Sequence, residues 1–269
     1  MTASSHRKTP EQGRRRYKAM DDTQCIEKLM LFGMSRQEAV IYLCLFRNGE
    51  LTGYEAAKQT GISRSNVYSA LAGLVEQGAA YVAGGSSSKY TAVPIEEFCD
   101  NCVRRLNQAK EVLLKNMPKP QLYGEGYITV AGPRHIQDKI FHMLRGADKR
   151  IYLSAPVQVL ESLFNELSAL IEKGIKVVLI ADRLPEGLPE QKGGQKGVIF
   201  YQASREDMLT RQDQIRLIID SAHVLTGDIA GKSSDTCLYS DQKNFVNVFK
   251  EAMHNEIKLI EFAGQKQQS

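Results

Sequence analysis

The sequence predicts a chain of two regions, α+β before a boundary near residues 119–124 and α/β after it. Three observations lead to this fold class. Short capped helices precede a Gly/Ser-tipped hairpin, a single long helix with an apolar stripe follows, and strands then alternate with helices. With 269 residues, of which 42% are apolar, the chain is long enough to bury a core in each region.

Composition excludes several classes of protein. No run approaches the ~18 consecutive apolar residues that a membrane-spanning helix requires, and the polar, basic start differs from a secretory signal. Five scattered cysteines are too few for a disulfide scaffold, and an odd number fits a reducing compartment. We therefore expect a cytoplasmic protein with no membrane partner.

The net charge of +4 is concentrated at the N-terminus. Residues 1–20 contain six basic side chains and one glutamate, a net charge of +5, so the rest of the chain carries −1. This segment has no apolar periodicity and is predicted to be a disordered basic tail. The run 14–16 is suited to non-specific phosphate contacts. Alternatively the tail is not native and Met20 is the natural start.

Two helices are predicted before residue 50. The first covers Asp22–Phe32 and ends at a glycine. The second begins with the capping box Ser35–Glu38, in which the serine hydroxyl and the glutamate carboxylate satisfy each other's backbone N–H groups. This helix is apolar nearly all round to about Arg47, so we expect it to be the buried one.

Residues 52–77 have the pattern of a helix-turn-helix. A second capping box, Thr52–Glu55, opens a short helix that Gly61 closes in the left-handed conformation. Ser63 then caps a helix that runs to Gln77. Two short capped helices joined by a tight turn indicate a DNA-binding unit.

The helix Ser63–Gln77 is predicted to turn a small polar face outward. Its apolar residues recur at helical spacing, while Ser65 and Ser69 point the opposite way. Arginine and asparagine are shaped for bidentate contacts to guanine and adenine. The residues predicted to bind DNA on this helix are Ser63, Arg64, Ser65, Asn66, Tyr68 and Ser69.

Two short alternating runs, 80–83 and 89–94, flank a Gly/Ser tip and predict a β-hairpin. After a helix-turn-helix such a hairpin is a wing. Its predicted phosphate contacts are Ser86, Ser87, Ser88 and Lys89. Residues 35–93 carry a net charge of only +1, which leaves ordinary three-helix packing as the alternative.

One helical stripe runs through 95–117 and ends before Pro118. Its members step by 4, 4, 3, 4 and 4: Phe98, Cys102, Leu106, Ala109, Leu113 and Met117. Such a stripe predicts a linker helix, 95–118, that pairs with a second subunit; alternatively it packs on its own chain. Cys99 and Cys102 form a C-x-x-C pair with no second pair nearby, which is more typical of helix core than of a metal or redox site.

The α/β pattern begins at Gly126. Helices are predicted at Pro133–Leu144, Val159–Lys173 and Lys243–Phe262, and a loop at Leu184–Gly197. Strands are predicted at 127–131, 150–154, 176–180, 198–201, 215–220, 222–226 and 236–239. The run 176–180 is nearly all apolar, as expected of a strand covered on both faces.

Residues 22–117 resemble the TrmB family of winged helix-turn-helix transcription regulators. The resemblance is carried by Gly33–Ala39, by Ile62–Tyr68, and by Leu71, Leu74 and Gly78. It implies a winged domain at 21–94, a dimerising linker at 95–118 and a phospholipase-D-like sensing domain at 125–263. It also implies double-stranded DNA, a second copy of the chain and a small-molecule effector as partners.

The resemblance to phospholipase D can be compared with the catalytic pattern H-x-K-x4-D. Aligned on Asp220 and Gly227, the histidine and lysine positions hold Asp213 and Ile215. An aspartate repels phosphate, and an isoleucine cannot hold an anion. We therefore expect a sensing scaffold rather than an enzyme. A divergent phosphodiesterase or nuclease, and a non-catalytic protein-interaction module, are the alternatives.

Asp182 and Arg183 directly follow a buried strand, where open α/β sheets bind ligands. They are predicted effector contacts, together with Asp220 at another strand end, although Asp220 equally suits a turn. The glycine-rich segments do not open a helix after a strand, and the histidines lack ligand spacing. No cofactor and no metal are expected.

Overall fold

The computed structural model describes residues 21–84, 88–118, 126–191, 196–204 and 213–266, with residues 264–266 described by their backbone alone. The chain divides into two compact units, residues 1–120 and 121–269. The predicted basic tail lies outside the described residues. The predicted fold class, a winged helix-turn-helix unit followed by a long helix and an α/β unit, is confirmed.

Four short helices begin the N-terminal unit, each opened by a polar cap. They are α1 (Asp22–Leu31), α2 (Arg36–Asn48), α3 (Gly53–Thr60) and α4 (Arg64–Glu76). The caps accept a hydrogen bond from the first turn of their helix, and both predicted capping boxes, at Ser35 and Thr52, are formed. The caps satisfy N–H groups that the helices leave without internal partners.

A three-stranded antiparallel sheet completes the winged fold. Its strands are β1 (Leu51–Thr52), β2 (Ala80–Ala83) and β3 (Lys89–Ala92), in the order β1-β3-β2. The hairpin was predicted, but β1 was not, because two residues carry no alternating pattern. The long helix α5 (Ile95–Asn116) follows.

Helix α2 lies at the centre of the N-terminal core. Its Tyr42 side chain is 1% exposed, and the hydroxyl donates to the Val93 carbonyl at 2.7 Å. Phe98 of α5 is fully buried, with its ring centroid 6.1 Å from that of Tyr42. The first turns of α5 therefore belong to the N-terminal core.

The C-terminal unit is a mixed sheet with helices on both faces. Its elements are β4 (Ile128–Ala131), α6 (Pro133–Arg145), β5 (Arg150–Ser154), α7 (Val157–Ser162), α8 (Phe164–Glu172), β6 (Lys176–Ala181), β7 (Val198–Gln202), β8 (Gln214–Ile219), β9 (His223–Asp228), β10 (Thr236–Ser240) and α9 (Lys243–Lys266). The strand order is β4-β10-β9-β8-β5-β6-β7. Strands β5, β6 and β7 are parallel, and the other neighbours are antiparallel.

Two hydrophobic clusters cover the two faces of this sheet. Val177 and Leu179 pack with α6, α7 and α8, whereas Val178 and Ile180 pack with Val246 and the other buried residues of α9. All four of these β6 residues are at most 1% exposed. The prediction that this strand is covered on both faces is confirmed.

The predicted helix Val159–Lys173 is wrong in one respect, because the structure has two helices there. The break falls at Leu163, which caps both α7 and α8 and is 1% exposed. Leu163 is thus buried at the point where the chain passes from α7 to α8. Sequence periodicity does not show this break.

Within the described segments, no single helix is long and apolar enough to cross a bilayer. Helices α1 and α2 reach that length and hydropathy as a pair bent by 119°. Their buried residues, among them Ile26, Ile41 and Leu45, belong to the N-terminal core.

Candidate nucleic-acid interface

Helix α4 turns its small side chains to solvent. Val67, Ala70, Leu71 and Leu74 are buried, while Ser65, Ser69 and Ala72 are exposed. The side of α4 that faces solvent is therefore the side with small side chains, as the spacing of the apolar residues predicts. A face of this kind brings the helix backbone close to a flat partner such as the edges of base pairs.

The N-terminal end of α4 is electrostatically positive. Ser63 accepts a hydrogen bond from the Asn66 N–H, and the first turn contains no acidic residue. Free N–H groups and the helix dipole favour an anion at this end. Ser63, Arg64 and Asn66 are all exposed there.

Arg64 is held by an aromatic side chain of α3. Its guanidinium carbon lies 4.4 Å from the centroid of the Tyr54 ring, and the ring is 51% exposed. Such a cation–π contact orients a long flexible side chain. Sequence reasoning missed Tyr54, although it is the exposed aromatic residue that begins the first helix of the predicted helix-turn-helix.

Tyr68 packs against Gly53, the first residue of α3. A Cβ atom added at Gly53 would lie 2.5 Å from the Tyr68 ring, so a side chain there would displace the ring. Tyr68 remains 50% exposed. The two tyrosines thus join α3 to the exposed side of α4.

The other end of α4 is seated on α2 through Glu38. One carboxylate oxygen of Glu38 accepts from the Ser35 N–H at 2.7 Å, and the other accepts from the Gln77 amide at 3.2 Å. A Cβ atom at Gly73 would lie 2.1 Å from that second oxygen. The capping box of α2 therefore also positions α4, and Gly73 provides the space.

The wing contains a salt bridge that the sequence did not predict. The Nζ of Lys89 lies 3.1 Å from a carboxylate oxygen of Glu50, just before β1, and both side chains are about half exposed. Because exposed ion pairs are weak, contact of Lys89 with a phosphate stays a prediction. The unpredicted pairing of β1 with β3 brings the two side chains together. Ser88 is exposed, whereas Ser86 and Ser87 lie outside the described residues.

The predicted stripe of α5 divides into two parts. Phe98 and Cys102 are buried in the N-terminal core, so their assignment to a subunit interface is wrong. Both belong to the hydrophobic core of their own unit, and linear spacing cannot distinguish such packing from packing against a second chain. Leu106, Ala109 and Leu113 are exposed, and Leu106 and Leu113 are 67% and 55% exposed.

The cysteines of α5 are free thiols. The Cys102 sulfur lies 3.1 Å from an Arg105 guanidinium nitrogen, and the same nitrogen donates to the Gln77 carbonyl at the end of α4. Burial is the main cause that raises the pKa of the Cys99 thiol. In the described part of the chain no group of three or more potential metal ligands is found.

In the C-terminal unit, the position that aligns with the catalytic lysine of phospholipase D is part of the core. Ile215 is 1% exposed and pairs with Gly227 across β8 and β9. A Cβ atom at Gly227 would lie 2.2 Å from the Thr236 carbonyl oxygen of β10. The glycine at this position thus allows the close approach of two strands.

Asp220 has a structural role in the described unit. Its carboxylate accepts the backbone N–H groups of Asp148, Lys149 and Arg150, each at 2.8 Å. Burial alone would raise the pKa of Asp220, but these hydrogen bonds outweigh it and hold the pKa below its usual value. The residue has a φ of 52°, a conformation that aspartate tolerates in turns.

The three predicted effector contacts are not brought together. Asp220 follows β8, which runs antiparallel to β5, so it lies at the amino end of β5. Asp182 and Arg183 follow β6 at the opposite, carboxyl edge. Asp220 is therefore separated from the other two by the length of the strands, and Arg183 is paired with Glu161 of α7 at 3.2 Å.

A cavity of about 230 Å³ opens at that same carboxyl edge. It lies between the start of α6, the junction of α7 with α8, and the loop from β9 to β10. Its polar lining includes Gln137, Ser162 and Asp235. The Asp235 carboxylate is 3% exposed and accepts the N–H groups of Gly231 and Lys232. Sequence reasoning missed this cavity, because three separate segments form it.

Residues 29–96, from α1 to the start of α5, match the family model of the sugar-specific transcriptional regulator TrmB. The match lies wholly within the N-terminal unit, which is called the TrmB-type unit for this similarity. The matched segment includes the whole TrmB-type helix-turn-helix and both strands of the wing.

Two curated relatives are similar to the chain. The HTH-type sugar sensing transcriptional regulator TrmBL1 of Pyrococcus furiosus is 26% identical over 168 residues, which cover 60% of this chain and 48% of the relative. The uncharacterized protein YrhO of Bacillus subtilis is 29% identical over 161 residues, 58% of each chain. The chain thus spans about half the length of the curated relatives that it matches.

Solved structures show distant likeness. TrmBL2, described as an archaeal chromatin protein with a novel mode of DNA binding, matches with a TM-score of 0.40 and 22% identity over 87% of this chain and 97% of its own. NucT from Helicobacter pylori matches with a TM-score of 0.37 and 13% identity over 49% and 96%, respectively. Nuc from Salmonella typhimurium, a phospholipase D family member, matches with a TM-score of 0.33 and 14% identity, over 49% of this chain and 93% of its own. At these TM-scores the likenesses say nothing about the function of this chain.

Within the TrmB-type unit, the structure brings most of the predicted helix residues to one exposed side. Ser63, Arg64, Ser65, Asn66, Tyr68 and Ser69 are all exposed along or beside the first turns of α4. Their contact with DNA stays a prediction.

Proposed function

We propose that this protein is a sequence-specific, dimeric transcription regulator that binds double-stranded DNA in the cytoplasm. In this proposal α4 enters the major groove, and a small-molecule effector bound to the C-terminal unit modulates the affinity for DNA. The observation that carries the proposal is the exposed small polar face of α4, with Ser65 and Ser69 at its centre.

The chemistry of this face suits base-pair edges. Serine hydroxyls donate and accept at short range, and Asn66 and Arg64 supply the amide and guanidinium groups that make bidentate contacts with adenine and guanine. Tyr54 holds the guanidinium beside the helix. A side chain already oriented in the free protein loses less conformational entropy on binding.

The dimer is proposed from the exposed part of α5. Leu106, Leu113 and Met117 are 67%, 55% and 64% exposed, and they follow one stripe of the helix. Two such helices would cover each other's stripe. Pairing would also place two TrmB-type units on one duplex, which raises affinity through a second set of contacts.

The effector site is proposed at the carboxyl edge of the C-terminal sheet. The cavity of about 230 Å³ lies there, at the edge that also bears Asp182 and Arg183. Concave sites with a few polar groups among apolar walls are typical of small-molecule sites. Gln137 and Ser162 provide such groups, so a small ligand with hydroxyl or amide groups fits the lining.

The test is a selection of duplexes from a random-sequence library, followed by binding measurements at physiological salt. We expect one sequence to be enriched, and Arg64→Ala to weaken its binding about tenfold or more while binding to unselected DNA changes less. Arg134→Ala, at an exposed position on α6, is the matched control. Unchanged affinity of the Arg64→Ala variant for the selected sequence would refute the placement of α4 in the groove.

A further inference from the structure

The TrmB-type unit contains an apolar cavity away from the exposed face of α4. The cavity has a volume of about 310 Å³ and lies between α1, α2 and the first turns of α5. Its lining consists of Cys25, Lys28, Leu29, Phe32, Tyr42, Leu43, Phe46, Ile95 and Cys99. Apart from Lys28, these side chains present hydrocarbon, aromatic rings and thiols.

The walls of the cavity are ordered by packing within the unit. Tyr42 turns its hydroxyl away to the Val93 carbonyl, so it offers the ring alone. The Phe46 ring stacks on the Tyr42 ring at a centroid distance of 6.1 Å. Leu29 is 5% exposed and Phe46 is 52% exposed, so the cavity has a buried floor and an open rim.

The one charge in the lining favours an anion. Lys28 is the one lining residue with a full charge, and no ion pair or hydrogen bond joins it to another residue of the described part of the chain. Glu27, Glu96 and Asp100 adjoin lining residues in the sequence but are not part of the lining. The ammonium group of Lys28 is therefore the charged group that the cavity itself offers to a ligand.

We propose that this cavity binds a small organic anion with an apolar body, such as a medium-chain carboxylate. The apolar body would lie against Leu29, Tyr42 and Phe46, and the anionic group would reach Lys28. Small-molecule sites have volumes of about 300–1,000 Å³, so this cavity takes ligands at the small end of that range. The site lies in the DNA-binding unit and is separate from the effector cavity proposed above.

The two thiols of the lining allow the cavity to be probed directly. Cys25 and Cys99 line it from opposite helices, whereas Cys44 on α2, also half-buried, lies outside the lining and is the matched control. The experiment measures the rate of alkylation of each thiol by N-ethylmaleimide in the full chain, with and without decanoate. We expect decanoate to slow the alkylation of Cys25 and Cys99 about fivefold or more at saturation, and to leave Cys44 unchanged.

The charge of the ligand is tested in the same assay. Decanol has the same chain without the anion and should protect only at higher concentration. Lys28→Gln should weaken protection by decanoate about fivefold and leave protection by decanol unchanged, whereas Lys58→Gln, an exposed lysine on α3, should change neither.

Three results would overturn this proposal. The first is alkylation of Cys25 and Cys99 that decanoate does not slow. The second is equal protection of Cys44, which would show a general effect on the fold. The third is protection without decanoate that disappears on dilution, since a second copy of the chain would then cover the cavity. None of these results depends on DNA binding, so they are distinguishable from failure of the proposed function.

Discussion

The guanidinium carbon of Arg64 lies 4.4 Å from the centroid of the Tyr54 ring, and the two side chains come from different helices of the helix-turn-helix. Tyr54 is the second residue of the first of these helices, and Arg64 begins the second. The contact fixes the direction of the arginine before DNA is present. Tyr54 is thus expected to contribute to DNA binding through Arg64.

This relationship predicts the effect of two substitutions at Tyr54. Tyr54→Phe keeps the aromatic face and should retain affinity for the selected duplex. Tyr54→Ala frees Arg64 and should lower the affinity about two- to fivefold, the value of an exposed cation–π contact. The measurement is a titration of labelled duplex at fixed salt. Equal affinity of the phenylalanine and alanine variants would contradict a role of the ring.

A second prediction concerns the oligomeric state. Leu113→Glu places a charge in the exposed stripe of α5 and should raise the dissociation constant of the dimer about tenfold or more, because a buried leucine would be lost from the interface. Analytical ultracentrifugation of the full chain measures it. The control is Lys115→Glu, two residues on and on the other side of the helix, which should leave the dimer intact. Equal dissociation by both variants would show that the stripe is not the interface.

Asp220→Asn tests the role of the carboxylate that accepts three backbone N–H groups. Asparagine tolerates the positive φ of 52° but lacks the charge, so the C-terminal unit should lose about 2 kcal/mol in its free energy of unfolding at neutral pH. Denaturant unfolding measures the difference. The exposed Asp138→Asn on α6 should cost far less.

The wild-type protein and the Asp220→Asn variant should differ less in free energy of unfolding at acid pH. The pKa of Asp220 is lowered in the folded state by the backbone N–H groups that outweigh burial, so the wild-type advantage is present above the unfolded pKa. It is lost as the pH falls through the folded pKa, below about pH 4. A difference that is independent of pH would show that the charge is not the cause.

A largely buried ion pair of the C-terminal unit predicts non-additive effects of substitutions on stability. Arg216 of β8 and Glu256 of α9 are joined at 2.6 Å, with side chains 16% and 13% exposed. Arg216→Met alone leaves Glu256 without this partner and should cost about 3 kcal/mol. Adding Glu256→Met should restore most of the loss, because a buried pair replaced by apolar side chains is often neutral. Additive losses in a double-mutant cycle would contradict the coupling.

The local features of the TrmB-type unit were predictable from the sequence. The capping boxes at Ser35 and Thr52, and the outward turn of Ser65 and Ser69, depend on residues three or four positions apart. Interactions over such short separations are encoded in linear spacing. The strand β6, with its continuous apolar run, was predictable for the same reason.

The errors concern partners distant in the sequence. The salt bridge between Lys89 and Glu50 was not predicted, because it crosses a short strand that has no periodic signal. Phe98 and Cys102 were expected in a subunit interface, but both are buried in the core of their own N-terminal unit. Asp220 was predicted as an effector contact together with Asp182, or alternatively as a turn residue, and the antiparallel direction of β8 puts it at the other edge of the sheet.

By itself, the sequence determined where the capped helices of the TrmB-type unit begin, which side of α4 is apolar and which strand is buried on both faces, because caps and periodicity act within one turn or one strand. Tertiary structure decided which side chain faces Arg64, which part of α5 is free and where cavities form. Those features depend on segments that meet only when the chain folds, and neither spacing nor composition records which segments meet.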